Sequence, residues 1–270
     1  MEVVSIVNQK GGVGKTTTAT CLAVRLNQLG KKTLLIDLDP QCNATDTYRA
    51  KSVDVNTIYD VLVDGNKLSD SIQHADQGDI VAGDKLLVEA EAKIVGLGRE
   101  SFLAIALEEI KDNYDYVILD CPPNFGILSS NALLASNKVI VPVTASRFSI
   151  MGLADINKTI MQVRKFTQNK TIKISGLLLV KVNKNQTLTK DFIDQMPEIC
   201  MKLNTKFYNT KIRNAVSVEK SQMNRVNLFE WEKMAKGYEL EGAIGIASDY
   251  RDFVDEFILD ESNKGGAING

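Results

Sequence analysis

The chain reads as short apolar runs separated by longer stretches in which apolar residues recur every three or four positions. The runs at 3–7, 32–36, 116–119, 138–143, 174–180 and 206–209 are rich in Val, Ile and Leu and too short for stable helices, and they predict β-strands. Helical periodicity fills residues 16–29, 57–63, 101–113, 152–167 and 190–203. Near-continuous apolar strands alternating with helices predict an α/β fold, a mostly parallel sheet with helices on both faces. In such a sheet, ligands bind outside the C-terminal ends of the strands. A last helix shows as one stripe, Ala243, Ile246, Ala247, Tyr250, Phe253, Val254, Phe257 and Ile258. Its polar face carries Asp249, Asp252, Asp255 and Glu256 against Arg251. A helix lying on anionic lipid carries basic residues on that face, so this one is predicted to pack on the core. Residues 1–262 are expected to form a single domain, and 263–270, with Gly265-Gly266, a disordered tail.

The first predicted strand runs into Lys10-Gly11-Gly12-Val13-Gly14-Lys15-Thr16-Thr17, and a helical pattern follows at once. Strand, glycine-rich turn and helix form the context of a phosphate-binding loop. Glycines let successive backbone N–H groups curl around a polyphosphate, and the helix start adds free donors and the positive end of its dipole. Lys15 would supply charge to the β- and γ-phosphates, and the Thr16 hydroxyl would ligate Mg²⁺. The chain is therefore expected to bind a nucleoside triphosphate, and the fold to be that of a P-loop NTPase.

Two further strand ends bring carboxylates. Leu34-Leu35-Ile36-Asp37-Leu38-Asp39-Pro40-Gln41 places Asp37 and Asp39 on one side of an extended chain, and Pro40 turns the chain away. Asp120 ends the apolar run Tyr116-Val117-Ile118-Leu119, where a carboxylate is costly unless it meets a cation. Thr16, Asp39 and Asp120 are the candidate metal residues.

Composition narrows the setting. The net charge is −2, yet residues 158–236 hold 16 Lys/Arg against 6 Asp/Glu, an asymmetry that can mark a polyanion-binding face. Cys21, Cys42, Cys121 and Cys200 form no CxxC pair and no metal-ligand spacing, which fits a reducing cytoplasm. His74 is the only histidine, so a multi-histidine metal site within one subunit is excluded.

The general loop pattern would put a glycine at position 9; this chain has Gln9 and then a second lysine, Lys10. In that departure the string KGGVGKTTT resembles the deviant Walker A ATPases of the ParA/MinD family. DLDPQ with Asn43-Ala44-Thr45, and Asp120 with Pro122-Pro123-Asn124-Phe125-Gly126, resemble that family's two switch segments. Cys42 stands where the family usually has Gly. Ile212-Arg213-Asn214 and Glu219-Lys220-Ser221 match its later IPRN…SEA stretch in part. The resemblance is to short ParA (Soj-like) proteins, which lack an N-terminal operator-binding domain.

That resemblance implies a weak, partner-stimulated ATPase using ATP and Mg²⁺. Lys10, Lys15 and Asp39 would be catalytic, with residues 10–17 (Lys10, Gly11, Gly12, Val13, Gly14, Lys15, Thr16, Thr17) binding nucleotide. Lys10 would reach across an ATP-dependent homodimer, and Asp39 would orient the attacking water. The closed dimer would hold nonspecific DNA, and a ParB-type centromere-binding protein would release it, giving a cytoplasmic, nucleoid-associated protein for plasmid or chromosome partition. The DNA face is expected to include Lys181, Lys184, Lys211, Arg213, Lys220 and Arg225. The alternative is a MinD-like positioning ATPase acting on a membrane or protein cargo, which would need a basic C-terminal helix. A cluster-bearing reductase would need a second cysteine paired with Cys121, and a non-hydrolysing ATP-binding scaffold would have no use for Asp39 and Asp120.

Overall fold

The computed structural model describes residues 1–183 and 187–265. Among them, eight strands form one sheet: β1 Glu2–Ile6, β2 Thr33–Asp37, β3 Ile72–Ala75, β4 Gly78–Val81, β5 Tyr116–Asp120, β6 Lys138–Val143, β7 Lys173–Val182 and β8 Phe207–Arg213. Their order is β3-β4-β2-β5-β1-β6-β7-β8, parallel throughout except for the β3–β4 hairpin at one edge. The helices are α1 Lys15–Gln28, α2 Asn43–Thr47, α3 Ala90–Lys93, α4 Phe102–Glu108, α5 Ile127–Ala135, α6 Arg147–Phe166, α7 Thr187–Leu203, α8 Ser217–Met223, α9 Leu228–Met234 and α10 Tyr238–Gly265. The expected helix at 57–63 is a short turn that widens into a π-type turn over Asp60–Asp64 and stops at Gly65, whose φ of 73° only glycine adopts freely.

Two cores flank the sheet, because alternate strand residues point to opposite faces. Val3, Leu34, Ile36, Val117 and Leu119 pack against α4, α5, α6 and α7. Val4, Ile6, Leu35 and Ile118 pack against α1, α9 and α10. The predicted apolar stripe of the last helix lies in this second core, with Ala243 through Phe257 almost wholly buried. That helix extends to Gly265, three residues into the expected tail, and 266–270 lie outside the described residues. Central strands β2, β5 and β1 lie side by side, with Ile6 and Asp37 both in register with Asp120. This register gathers the three chemistry-bearing segments at one end of the sheet.

Candidate nucleotide-binding site

The phosphate loop leaves β1 at the centre of the sheet. Asn8, buried just past the strand, donates from Nδ2 to the Pro142 carbonyl at 2.7 Å and accepts the Lys10 amide on Oδ1 at 2.9 Å. One side chain thus ties the loop to the end of β6 and bends it. Gly12 and Gly14 sit at φ 70° and 80°, left-handed positions that a Cβ would strain. Gly14 caps α1, and its carbonyl accepts the Thr18 amide at 2.9 Å. No side chain caps this helix, so its first N–H groups face the cleft. Lys15 is buried and Lys10 exposed, so the two lysines of one loop face different surroundings.

Three carboxylates converge opposite the loop, and they are not alike. Asp120 is fully buried, and neither oxygen has a hydrogen-bond partner of normal geometry among the described residues. Burial first, and then the neighbouring Asp37, lift its pKa well above the usual carboxylate range; the Thr16 hydroxyl and Lys15 ammonium pull the other way. Lys15 is lowered by burial and held up by Asp120 and Asp39. Asp37 is also fully buried and pushed up to about 6 by desolvation, against hydrogen bonds from Thr45 and Asp39. Asp39, 7% exposed, borders the cleft, and its Oδ1 accepts the Gln41 amide at 2.9 Å. The extended-chain reading put Asp37 and Asp39 side by side. Instead β2 ends at Asp37, and the chain folds so that the Asp39 amide donates back to Asp37 Oδ1 at 3.1 Å.

A bare, buried carboxylate beside a threonine hydroxyl and an ammonium group fits a divalent cation held between protein and phosphate. Thr16 and Asp120 would hold it, with Asp39 near. Among the described residues no group of three or more His, Cys, Asp or Glu is arranged to bind a metal alone. Magnesium commonly takes only one or two protein ligands and completes its shell with phosphate and water.

The cleft continues from the loop as a volume of about 450 Å³. Its far end is walled by Ile212, Ala215, Val218 and Gln222, with Tyr250 beneath. The Tyr250 hydroxyl lies 3.3 Å from Thr18 Oγ1 and fixes α10 to α1. A phosphate cradle at one end and a mixed apolar and amide wall at the other suit a nucleotide. Sequence reasoning singled out residues 10–17; it did not single out Asn8, which ties down the loop, or Gln222 and the wall at the far end of the cleft. The partial match at 212–214 was the available signal for the wall.

The six expected DNA-face residues fall in several settings. Lys181 is exposed at the cleft mouth with φ 56°, and Arg213 lines the same cleft. Arg213 donates to both oxygens of Asp249, each at 2.7 Å, and its amide also donates to Asp249 at 2.9 Å. Lys211 folds back on its own strand, donating to the Tyr208 and Asn209 carbonyls and lying over the Phe207 ring. Burial lowers its pKa. Lys220 pairs with Glu239, and Arg225 with Asp46 at 2.6 Å. Lys184 lies outside the described residues.

Comparison with known proteins follows the same outline. A family model described as an AAA domain matches residues 1–174. The sporulation initiation inhibitor protein Soj of Bacillus subtilis is 35% identical over 243 residues, 88% of this chain and 94% of its own length. The chromosome partitioning protein ParA of Caulobacter vibrioides is 36% identical over 196 residues, 70% of this chain and 73% of its own. Among solved structures, cobyrinic acid a,c-diamide synthase from Mycobacterium smegmatis with bound ADP and magnesium is 28% identical with a TM-score of 0.75, covering 94% of this chain and 93% of its own.

Proposed function

This chain belongs to the AAA-domain P-loop family and, within it, to the deviant Walker A group of Soj and ParA; from that premise we propose that it is an ATP-dependent DNA-partition ATPase. The triphosphate of ATP lies along residues 10–17, with the base toward Ile212 and Gln222. Mg²⁺, when bound, draws negative charge from the phosphate oxygens and so eases attack on the γ-phosphate. Thr16 and Asp120 hold it. Lys15 neutralises β- and γ-phosphate charge, and Asp39 orients the attacking water. The contrast between buried Lys15 and exposed Lys10 on one loop carries the reading. Lys15 serves the subunit's own nucleotide, while Lys10 stands free to serve a second copy's.

Two copies closed over ATP bring two basic surfaces together. Because each phosphate contact releases counterions, doubling the contacts steepens both affinity and its dependence on salt. Nucleotide state then gates nonspecific DNA binding, and a ParB-type partner accelerates hydrolysis and release. The membrane alternative needs a basic amphipathic C-terminal helix, and the apolar stripe of α10 is instead buried in the core. Among the described residues no helix is long and apolar enough to cross a membrane.

The test is binding to duplex DNA of arbitrary sequence with ATP, ADP or no nucleotide across a salt series. Tight binding only with ATP, weakening steeply with salt, is expected. Absence of binding in every state would remove DNA from the proposal and leave a switch acting on another cargo.

A further inference from the structure

Asp37 and Asp120 sit side by side in register on β2 and β5, both fully buried, and either could be taken for the residue that meets the cation. Their hydrogen bonds separate them. Asp120 presents two unpartnered oxygens. Both oxygens of Asp37 are engaged, with three of about four lone-pair sites taken: Oδ2 accepts the Thr45 amide at 2.8 Å and the Thr45 hydroxyl at 2.7 Å, and Oδ1 accepts the Asp39 amide at 3.1 Å.

The Thr45 amide has a particular place in α2. The helix is preceded by Cys42 in the left-handed region, φ 55°, with no side chain capping it. Thr45 is its third residue, and its N–H is one of the donors a helix start leaves open. Asp37 reaches across from the strand and takes that donor, acting as a remote N-cap. The Thr45 hydroxyl, having donated to Asp37, accepts the Gly83 amide at 2.8 Å. Only a hydroxyl does both at once. Position 83 is tight as well: a Cβ there would lie 3.1 Å from both Asp37 Cγ and the Asp37 carbonyl oxygen. One buried carboxylate therefore joins the end of β2, the start of α2 and the loop after β4.

We propose that Asp37 is a positioning residue for hydrolysis and not a metal ligand: through the Asp39 amide and Thr45 it fixes the segment 39–45 that carries the water-orienting Asp39. This rests on the ATPase reading above. Asp39 has one direct tie to Asp37 through its own amide, and a second runs through Thr45 at the far end of the same segment. Loosening either lets the Asp39 carboxylate wander, while the P-loop, Lys15 and Asp120 keep their places. Nucleotide binding and metal binding should survive, and the chemical step should suffer.

The experiment measures phosphate release against ATP and Mg²⁺ concentration for Thr45→Val, Thr45→Ser and Asp37→Asn, with urea unfolding of each. Thr45→Val keeps the shape of the side chain and removes the hydroxyl; Thr45→Ser restores the hydroxyl alone. The expected result is kcat down roughly tenfold or more in Thr45→Val and Asp37→Asn. KM for ATP and the Mg²⁺ level for half-maximal turnover should stay within about twofold, and Thr45→Ser should recover most of kcat. Full turnover by Thr45→Val would overturn the proposal. So would a tenfold higher Mg²⁺ requirement in Asp37→Asn, which would make Asp37 a ligand. Should Asp37→Asn fail to fold, the Thr45 pair still decides. If the wild-type chain releases no phosphate, the ATPase reading fails and this role falls with it; wild-type turnover with an unaffected Thr45→Val sinks this inference alone.

Discussion

Replacing Asp120 by Asn should make the nucleotide-free protein more stable and the loaded protein less so. Asp120 is wholly buried with both oxygens unpartnered, and burial together with Asp37 raises its pKa. Holding an ionised carboxylate there costs several kcal/mol, so the bare protein keeps it protonated over a widened pH range. Asn has the same shape and no charge, but it leaves its amide as poorly satisfied as the neutral acid. The gain is therefore smallest below the unfolded carboxylate pKa of about 4 and grows as pH rises above it, where the wild-type residue bears the cost of either ionising or holding a proton. Loading reverses the sign. A ligand at a hundred times its Kd stabilises the folded state by about 2.7 kcal/mol, and the part that depends on Mg²⁺ should vanish in the variant. The assay is equilibrium urea unfolding at pH 5 and pH 8, bare, with nucleotide, and with nucleotide plus Mg²⁺. The curves should cross: variant above wild type when bare at pH 8, below it with Mg²⁺ and nucleotide. A variant less stable by more than about 1 kcal/mol in the bare state at both pH values would mean that Asp120 holds the fold together. An undiminished Mg²⁺ increment would take the cation away from it.

Lys10→Ala should bind ATP within a few-fold of wild type but fail to dimerise with it; an ATP-induced dimer of normal affinity, read by analytical ultracentrifugation, would place Lys10 outside the interface. Asp39→Ala should lower phosphate release roughly 100-fold or more, in the range by which positioned acid–base groups act, and accumulate the ATP-bound dimer; wild-type turnover would assign the water to another residue. The bare protein should also lose stability as pH rises. Burial raises the folded-state pKa of Asp37 and of Asp120 above the unfolded value, so the unfolded chain binds fewer protons, and stability present at low pH is lost as pH climbs through the folded pKa values. Urea midpoints between pH 4 and 8 test this, and a flat or rising profile that Asp120→Asn leaves unaltered would refute it.

The central sheet was legible because its strands are buried on both faces and so appear as unbroken Val, Ile and Leu runs. The β3–β4 hairpin was not. Gln73, His74 and Asp79 interrupt it, and it lies at an edge where half its surface is wet. Helix α5 was hidden for a different reason: its Ser129, Ser130 and Asn131 lower helix propensity, while Asn131 is held in place by tertiary bonds to the Leu103 amide and the Arg99 carbonyl. At the site, Lys15, Thr16 and Asp120 could be read because their spacing is local to a strand end. The base end of the cleft could not, since β8, α8 and α10 reach the P-loop only through folding. The carboxylates that hold Arg213, Lys220 and Arg225 come from α10 and α2, and a count of basic residues along the chain is blind to them.

Those pairings change what the basic stretch is at rest. Arg213, Lys220 and Arg225 each already carry a counter-ion made of protein, supplied by Asp249, Glu239 and Asp46. A polyanion arriving there does not meet bare charge; it must evict a tethered rival that never diffuses away. The surface pairs of Lys220 and Arg225 each hold on by only about 0.5 kcal/mol, while the two-pronged Arg213 pair, with Asp249 buried, holds harder. Three in one subunit come to roughly tenfold or more in affinity. On the DNA-binding proposal, a lone subunit would therefore hold a polyanion more weakly than its count of basic residues suggests, and a partner offering many phosphates at once would be needed to displace all three carboxylates.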